Sequence, residues 1–356
     1  MYDFKYNPKS TLSEDEQLRR YRKKLIIRQE VETFYDSQHV RIQTGNRLVA
    51  NFRNRIGVTP DDKEEDPSGV DVLRTLKLRF EKITEGLAVT DLSRRRKFKY
   101  DGIITDYGEL YLVGDWIRLM KREQDLQRNL QYRVEEHDIW HEFLKDVKGA
   151  GPAMGAVIIA YYDMHKAPYV SSLWSYTGLD VASDGRGRSR RQEHLVDKTY
   201  VNTDGEVKET KGLSYNPFVK TKIRGVLATC LLRSGSDFRD EYDRYKHRIE
   251  NSKKHATWIL QKSSKGSAFP DWTNDEDELG EKDGTHGKMT RFVKGEHAAM
   301  YERGKSAAHR HEMALRYMTK AFLRELYIAW RPLEGLPVRD GYAEAKLGHE
   351  PHKQKH

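Results

Sequence analysis

The stretch VKGAGPAMGAVIIA, Val147–Ala160, carries the pattern on which the fold turns. Gly149 and Gly151 follow a hydrophobic residue, and Gly155 and Ala156 precede an apolar run, which is the spacing of a helix-hairpin-helix. The first two glycines permit a tight turn, and the small residues Ala153, Gly155 and Ala156 allow close helix packing. Uncovered N–H groups at the start of the second helix, with the positive end of its dipole, suit a phosphate. A hairpin of this kind grips a backbone without reading bases. The same glycines would also cap an ordinary helical turn. The flanks decide between the two, and Lys148 already adds a cation on one side.

Downstream, PYVSSLWSYTGLD (168–180) runs into VASDGRGRSRR (181–191), where Arg186, Arg188, Arg190 and Arg191 are interleaved with Gly and Ser. A guanidinium fork matches two phosphate oxygens, and arginines on a flexible backbone directly after a phosphate hairpin point to nucleic acid. Next, SYNPFVKTKIRG places Lys220, Lys222 and Arg224 near the start of a helix. A second helix follows, in which Phe238, Tyr242 and Tyr245 recur at helical spacing and read as core.

Upstream, residues 12–56 read as one long helix. Ser13 and Glu16 form a capping box, and Leu18, Leu25, Val31, Phe34, Tyr35, Val40, Ile42, Leu48, Val49 and Phe52 recur at near-helical spacing. An acidic, proline-containing loop covers 57–69, and a helix follows over about 70–87. YDGIITDYGELYLV (100–113) predicts a β-hairpin turning at Asp106–Gly108. Helical spacing returns from Asp115 to Lys148 and predicts an antiparallel pair or coiled coil with the first helix. The stretch 262–296 reads as a surface insertion, a helix resumes over 301–331, and the end is a polar tail.

The chain has 356 residues with 64 Lys and Arg against 55 Asp and Glu, a formal net charge of +9. The cations gather at 19–28, 94–99 and 186–191 and the acids at 61–66 and 275–283, so the charge is more polarised than its sum. The longest apolar run, Ala153–Tyr162, is about half the ~20 residues that a bilayer span needs. Met1–Ser10 is polar, so no leader is expected. Cys230 is the one cysteine, which excludes an internal disulfide and a thiolate zinc cage. These features predict a cytoplasmic protein that does not enter a membrane.

The ordered set resembles one family. Residues 115–250 and 303–331 resemble the C-terminal transposase domain of the insertion-sequence transposases of the one-ten/eleven-eleven group, the bridge-RNA-guided recombinases. The shared order is a coiled-coil helix, the glycine hairpin KGAGPAMGA, the segment Tyr169–Leu179 ending in Gly-Leu, and the Ser/Gly/Arg stretch. A Tyr-Asn-Pro helix start, a Phe-Arg-x-x-Tyr-Asp-x-x-Lys helix and the last helix AHRHEMALRYMTKAFLRELY complete it. In that family a serine after Gly-Leu joins covalently to DNA. The resemblance puts this role on Ser183, with Ser189 as the weaker match, although Asp184 separates Ser183 from the glycine that normally follows directly. Arg186, Arg188, Arg190 and Arg191 would neutralise the phosphate, and no base is evident. The family also carries a RuvC-like domain whose four carboxylates bind two Mg²⁺ ions, and residues 1–113 lack its strand pattern. Asp101, Asp106, Glu109 and Asp115 cluster there, but Asp106 and Glu109 fall where a hairpin turn wants them. The stretch FYDSQHVRIQTGNRL (34–48) looks instead like stand-alone relatives from phages and mobile elements that keep only the C-terminal part.

The expected fold is therefore mainly α, with long helical coiled-coil arms, a helix-hairpin-helix transposase-like domain and a small β-hairpin. Its expected parts are a helical region over 1–113, a coiled-coil helix over 114–148, the transposase-like domain over 149–335 with an insertion at 251–302, and a tail over 336–356. The expected nucleic-acid contacts are Lys148, Gly149, Gly151, Gly155, Arg186, Arg188, Arg190, Arg191, Lys220, Lys222 and Arg224. The expected partners are DNA, a structured guide RNA if the family likeness extends that far, and a second copy held through the long helices. No cofactor is expected; Mg²⁺ would enter only with a separate nuclease partner or an unrecognised acidic site. Three compatible readings stay open: strand transfer by Ser183, a non-catalytic DNA- or RNA-binding derivative, and an oligomerising helical scaffold held by helices 12–56 and 115–148.

Overall fold

Ser13 starts the first helix as its spacing predicts. In the computed structural model, which describes residues 4–57, 68–183, 187–250, 259–260, 301–303 and 307–339, α1 spans Glu14–Ile56. The Ser13 hydroxyl accepts the Glu16 N–H at 3.3 Å. The capping box closes only halfway, because the Glu16 carboxylate turns to Arg19 at 2.7 Å and Arg20 at 3.0 Å. The chain is mostly helical and divides into two compact units, one of Met1–Tyr21 with His137–His356 and one of Arg22–Glu136.

The Arg22–Glu136 unit joins the rest of α1 to α2 (Gly69–Thr84) and α3 (Tyr107–Val134). The ion pairs Glu30–Arg133, Arg41–Glu123 and Arg55–Glu109 ascend α1 while descending α3, so the two helices lie antiparallel. Leu48, Val49, Val72, Leu76, Phe80, Ile104, Leu110, Val113 and Trp116 form the core. Val40 and Ile42, expected on the apolar face of α1, are exposed, while Ile27, Val31 and Phe34 are buried one and two turns apart.

The hairpin expected over 100–113 is absent. Tyr107–Val113 is the first part of α3, and Asp106 is its N-cap, accepting the Glu109 N–H at 3.0 Å. Asp at an N-cap and Asp in a turn use the same side-chain chemistry. The buried residues Leu110 and Val113 are three apart, which is the helical period and not the alternation of a strand. The acids around this start have structural partners. Asp101 accepts the N–H groups of Ile103 and Ile104, Asp115 pairs with Arg118, and both Glu109 oxygens take Arg55.

The helix expected over 115–148 also breaks. After Val134 the buried positions step to Ile139 and Leu144, five residues at a time, which leaves a single helical face. The chain instead forms α4 (Asp138–Glu142) and a 3₁₀ turn (Leu144–Asp146), and the compact unit changes at Glu136/His137.

The other unit is built on α5 (Pro152–Tyr161), whose residues Met154–Ala160 are all buried, as befits an apolar central helix. Around it come α6 (Val170–Tyr176), an antiparallel ribbon of β1 (Leu195–Val201) and β2 (Val207–Leu213), α7 (Pro217–Lys220), a π-helical segment (Thr221–Leu227) and α8 (Ala228–Arg233). Then follow α9 (Phe238–Glu250), a short pair β3 (Ile259–Leu260) and β4 (Tyr301–Arg303), and α10 (Ala307–Leu333). The ribbon is not among the expected elements, although Asn202–Gly205 carries turn residues between alternating strands. Most of the insertion at 251–302, most of the tail beyond 336, and Arg186 lie outside the described residues.

The N-terminal segment is clasped to the end of α10. His165 takes a hydrogen bond from Asn7 on Nδ1 and gives one from Nε2 to Glu334 at 3.3 Å, while Trp330 donates to the same carboxylate at 3.0 Å and Arg20 lies 3.5 Å away. Burial pushes the Glu334 carboxyl up, but the His165 bond, the Arg20 charge and the Trp330 bond together hold it below the usual carboxylate value. A lowered value stabilises the fold above the unfolded carboxylate range and loses that contribution as the pH falls through the folded value. Glu334→Gln should therefore cost about 1–3 kcal/mol near neutrality. In denaturant titrations the gap to the parent chain should close in acid; a gap constant down to pH ~3 would contradict the assignment.

Candidate nucleic-acid interface

Asn216 starts α7 by accepting the Val219 N–H at 3.1 Å, with Pro217 in the first turn, where a missing N–H costs nothing. The helix then widens into the π-helical segment, a distortion that recurs at functional sites. Lys220 and Arg224 sit on this stretch, close enough to repel each other.

The loop after α6 meets them. Gly178 closes α6 with a left-handed φ of 68°, and Leu179 donates back to the Trp174 carbonyl at 2.8 Å. That delivers Asp180 to the base of a loop clamped by the Val181–Gly187 bridge and by Arg188, whose Nε meets Asp180 Oδ2 at 2.9 Å. Lys220 Nζ donates to the Arg188 carbonyl at 2.5 Å and lies 4.3 Å from the centre of the Tyr215 ring. The guanidinium of Arg316, on α10, lies against the loop at Gly187. A Cβ at Gly187 would meet that guanidinium, so a larger residue there would push the Arg316 side chain aside. Lys320, one turn on, lies 5.0 Å from the Trp174 ring, and Trp174 anchors α6 by donating to the Lys320 carbonyl.

Five cations thus converge: Arg188, Lys220, Arg224, Arg316 and Lys320. Among the described residues two carboxylates answer them, Asp180 through Arg188 and Glu312 through Arg224. Asp180 Oδ1 is buried without a hydrogen bond among the described residues. The arrangement is electrostatically unfavourable in the free protein. Burial, then Arg316, pushes Lys220 down, with Asp180 pulling against them. Burial, then Arg316, does the same to Lys320. Burial, then Arg224, lowers Arg316. Half-buried cations that repel one another form a ready site for an anion, because a phosphate supplies the missing counter-charge in a region of low dielectric.

The structure brings Arg188, Lys220 and Arg224 together, and Arg316 and Lys320, which are not among the expected contacts, join them. Lys222 lies beside this set with its Nζ 5.5 Å from the Phe218 ring, and burial lowers it. Arg190 and Arg191 are exposed just beyond the loop, and Ser183 is exposed within it. Ser189 is engaged otherwise. Its N–H and Oγ both meet Nδ1 of the buried His194, at 3.1 and 3.0 Å, and Arg191 N–H bonds to the same Oγ. That nitrogen already accepts a backbone N–H, so the pair fastens a turn.

The glycine hairpin stands elsewhere. Tyr161, at the end of α5, packs on Phe218 with ring centroids 4.8 Å apart, whereas Gly149, before its start, packs on Cys230. The hairpin and Lys220 therefore occupy opposite ends of α7–α8, roughly 15 Å apart at 1.5 Å per residue. Gly149 is half-buried and closely packed on one side. Its φ is 95°, and a Cβ would lie 2.8 Å from both the Cys230 carbonyl carbon and Ser234 Oγ, while Ser234 Oγ also bonds the Lys148 carbonyl. Gly151 is the open position, where a Cβ would have no neighbour within 4 Å, and Lys148 is exposed beside it. Gly155 is buried inside α5 and packs rather than binds.

Among the described residues no helix is long and apolar enough to cross a membrane, and no group of three or more His, Cys, Asp or Glu side chains is placed to hold a metal ion. Compared with known proteins, the chain matches no family model, no curated protein and no solved structure.

Proposed function

We propose that the chain is a DNA-binding protein of the transposase or recombinase type, and that the cation cluster of α7 and α10 engages the phosphate backbone. The observation that carries this reading is the convergence of Arg188, Lys220, Arg224, Arg316 and Lys320 with two carboxylates, Asp180 and Glu312, among the described residues. Gly151 and Lys148 provide a second contact at the far end of α7–α8. The antiparallel helices α1 and α3 serve as arms through which two copies associate, a point that equilibrium sedimentation of the full chain decides. A structured guide RNA would belong to the same family likeness.

Strand transfer by Ser183 goes one step further. Its hydroxyl sits three residues from Asp180 in the loop that the cations clamp. Attack would form an Oγ–P bond, break the P–O bond to the leaving strand, and pass the hydroxyl proton through solvent to the departing alkoxide. The clustered cations would stabilise the charge that builds on phosphorus oxygens. The second reading is a non-catalytic DNA- or RNA-binding derivative. It is favoured by His194, the imidazole nearest the loop in sequence, being fastened to Ser189 instead of Ser183.

The two readings separate in one experiment. Nicked and junction DNA is incubated with the chain and resolved under denaturing conditions. A covalent adduct that disappears in Ser183→Ala supports strand transfer. Tight, salt-sensitive binding without an adduct supports the second reading, and an adduct unchanged in Ser183→Ala removes Ser183 from the mechanism.

A further inference from the structure

The ribbon β1–β2 is a two-stranded arm whose side chains are mostly exposed. Asn202 Oδ1 accepts the N–H groups of Asp204 and Glu206, at 3.0 and 2.8 Å, and Gly205 N–H returns to the Asn202 carbonyl. The tip is therefore fixed, but the strands above it bury little. Tyr200 is 49%, Val201 65% and Val207 70% exposed. An isolated two-stranded hairpin is marginal in water, so a ribbon that covers no core among the described residues gains from a partner that covers it.

The register shows what that partner is. One face carries Val196, Lys198 and Tyr200 opposite Gly212, Thr210 and Lys208, and its one neighbouring carboxylate is Glu206 at the tip, 3.5 Å from the Lys208 Nζ. Asp197 and Glu209 both lie on the other face, with Thr199, Val201, Val207 and Lys211. Within the strands the ribbon is thus polarised, with two lysines, a tyrosine and a threonine on one side, Asp197 and Glu209 on the other, and Glu206 pairing with Lys208 at the tip. Both feet of the ribbon stand on the cation cluster. β1 leaves the Arg188–Arg191 segment through the turn at Gln192–His194, and β2 runs into Tyr215, whose ring carries Lys220.

We infer that the face of Lys198, Tyr200, Lys208 and Thr210 seats in the major groove of duplex DNA whose backbone rests on the cluster. Seven residues per strand give a ribbon of about 23 Å, and the major groove of B-DNA, about 12 Å wide, admits a two-stranded β-ribbon. The lysines meet the phosphates along the groove walls, and Tyr200 and Thr210 face base edges. The major groove of A-form RNA is too narrow and deep for such an arm. This inference rests on the DNA-binding function proposed above and assigns it a substrate form, the B-form duplex.

The test uses the full chain and fluorescence anisotropy with a short duplex DNA, its single strand, and the RNA duplex of the same sequence. Because the ribbon is exposed, K198E/K208E and the opposite-face control K211E should melt at the parent temperature. K198E/K208E should lose about tenfold or more in duplex-DNA affinity, and its log–log salt slope should fall by about 2. Single-strand affinity should stay within about twofold, and K211E should bind like the parent chain. Equal losses in K198E/K208E and K211E, or a parent chain that favours the RNA duplex, would overturn the ribbon assignment. Duplex binding that survives K198E/K208E but is lost in Lys220→Gln/Arg316→Gln would overturn the ribbon alone and leave the function standing. A parent chain that binds none of the three probes would overturn both.

Discussion

Gly149→Val should destabilise the unit of Met1–Tyr21 and His137–His356 by about 3–5 kcal/mol, the largest stability loss expected from any single glycine in the hairpin. Two costs add. A φ of 95° is strained for any side chain and worst for a β-branched one. The new Cβ would also collide with the backbone of Cys230, which cannot swing aside as a flexible side chain would. Gly151→Ala should cost within about 1 kcal/mol, because its φ of −61° is ordinary and its surroundings are open. Chemical denaturation of the two variants side by side makes the comparison. Equal midpoints would mean that the hairpin is not packed on α8 as described. A loss of DNA binding in Gly149→Val is then a folding effect, and Gly151 is the position at which hairpin contacts with phosphate can be tested.

Lys320→Met should move affinity and stability in opposite directions. The lysine is held down by burial and by Arg316, so its charge costs the free protein energy. Methionine keeps the contact with Trp174 through its sulfur and removes the repulsion. The variant should melt no lower than the parent chain and should bind duplex DNA about tenfold or more weakly at moderate salt. A residue that served only the fold would lose stability on substitution. Lower melting with unchanged affinity would place Lys320 in the scaffold and take it out of the interface.

Much of this architecture is legible in the sequence wherever one residue has one role. Ser13 and the apolar spacing after it locate α1, and Tyr-Asn-Pro locates α7, because caps and proline act locally. Asp106 misleads because an aspartate that ends a turn and one that caps a helix look alike. The turn between α3 and α4 leaves only a drift in spacing. Gly149 is legible as a turn but not as a contact, since its neighbours Cys230 and Ser234 lie some eighty residues on. The site divides in the same way. Arg188, Lys220 and Arg224 stand in local cationic runs, whereas Arg316 and Lys320 join them from a helix about a hundred residues away. The signal for those two is present in part: Ala314, Leu315, Met318 and Phe322 mark the buried face of α10, and Arg316 and Lys320, four apart, flank it. Nothing local marks the π-helical widening at Thr221–Leu227.

Neutralisation of DNA phosphates by the α7–α10 cations, as proposed, is tested most directly by the salt dependence of duplex-DNA affinity. The parent chain should show a log–log slope of about −3 or steeper, and Lys220→Gln/Arg316→Gln should bind with a slope shallower by about 2 while melting at or above the parent temperature. A parent chain whose binding ignores salt, or a double variant with the parent's slope, would contradict it.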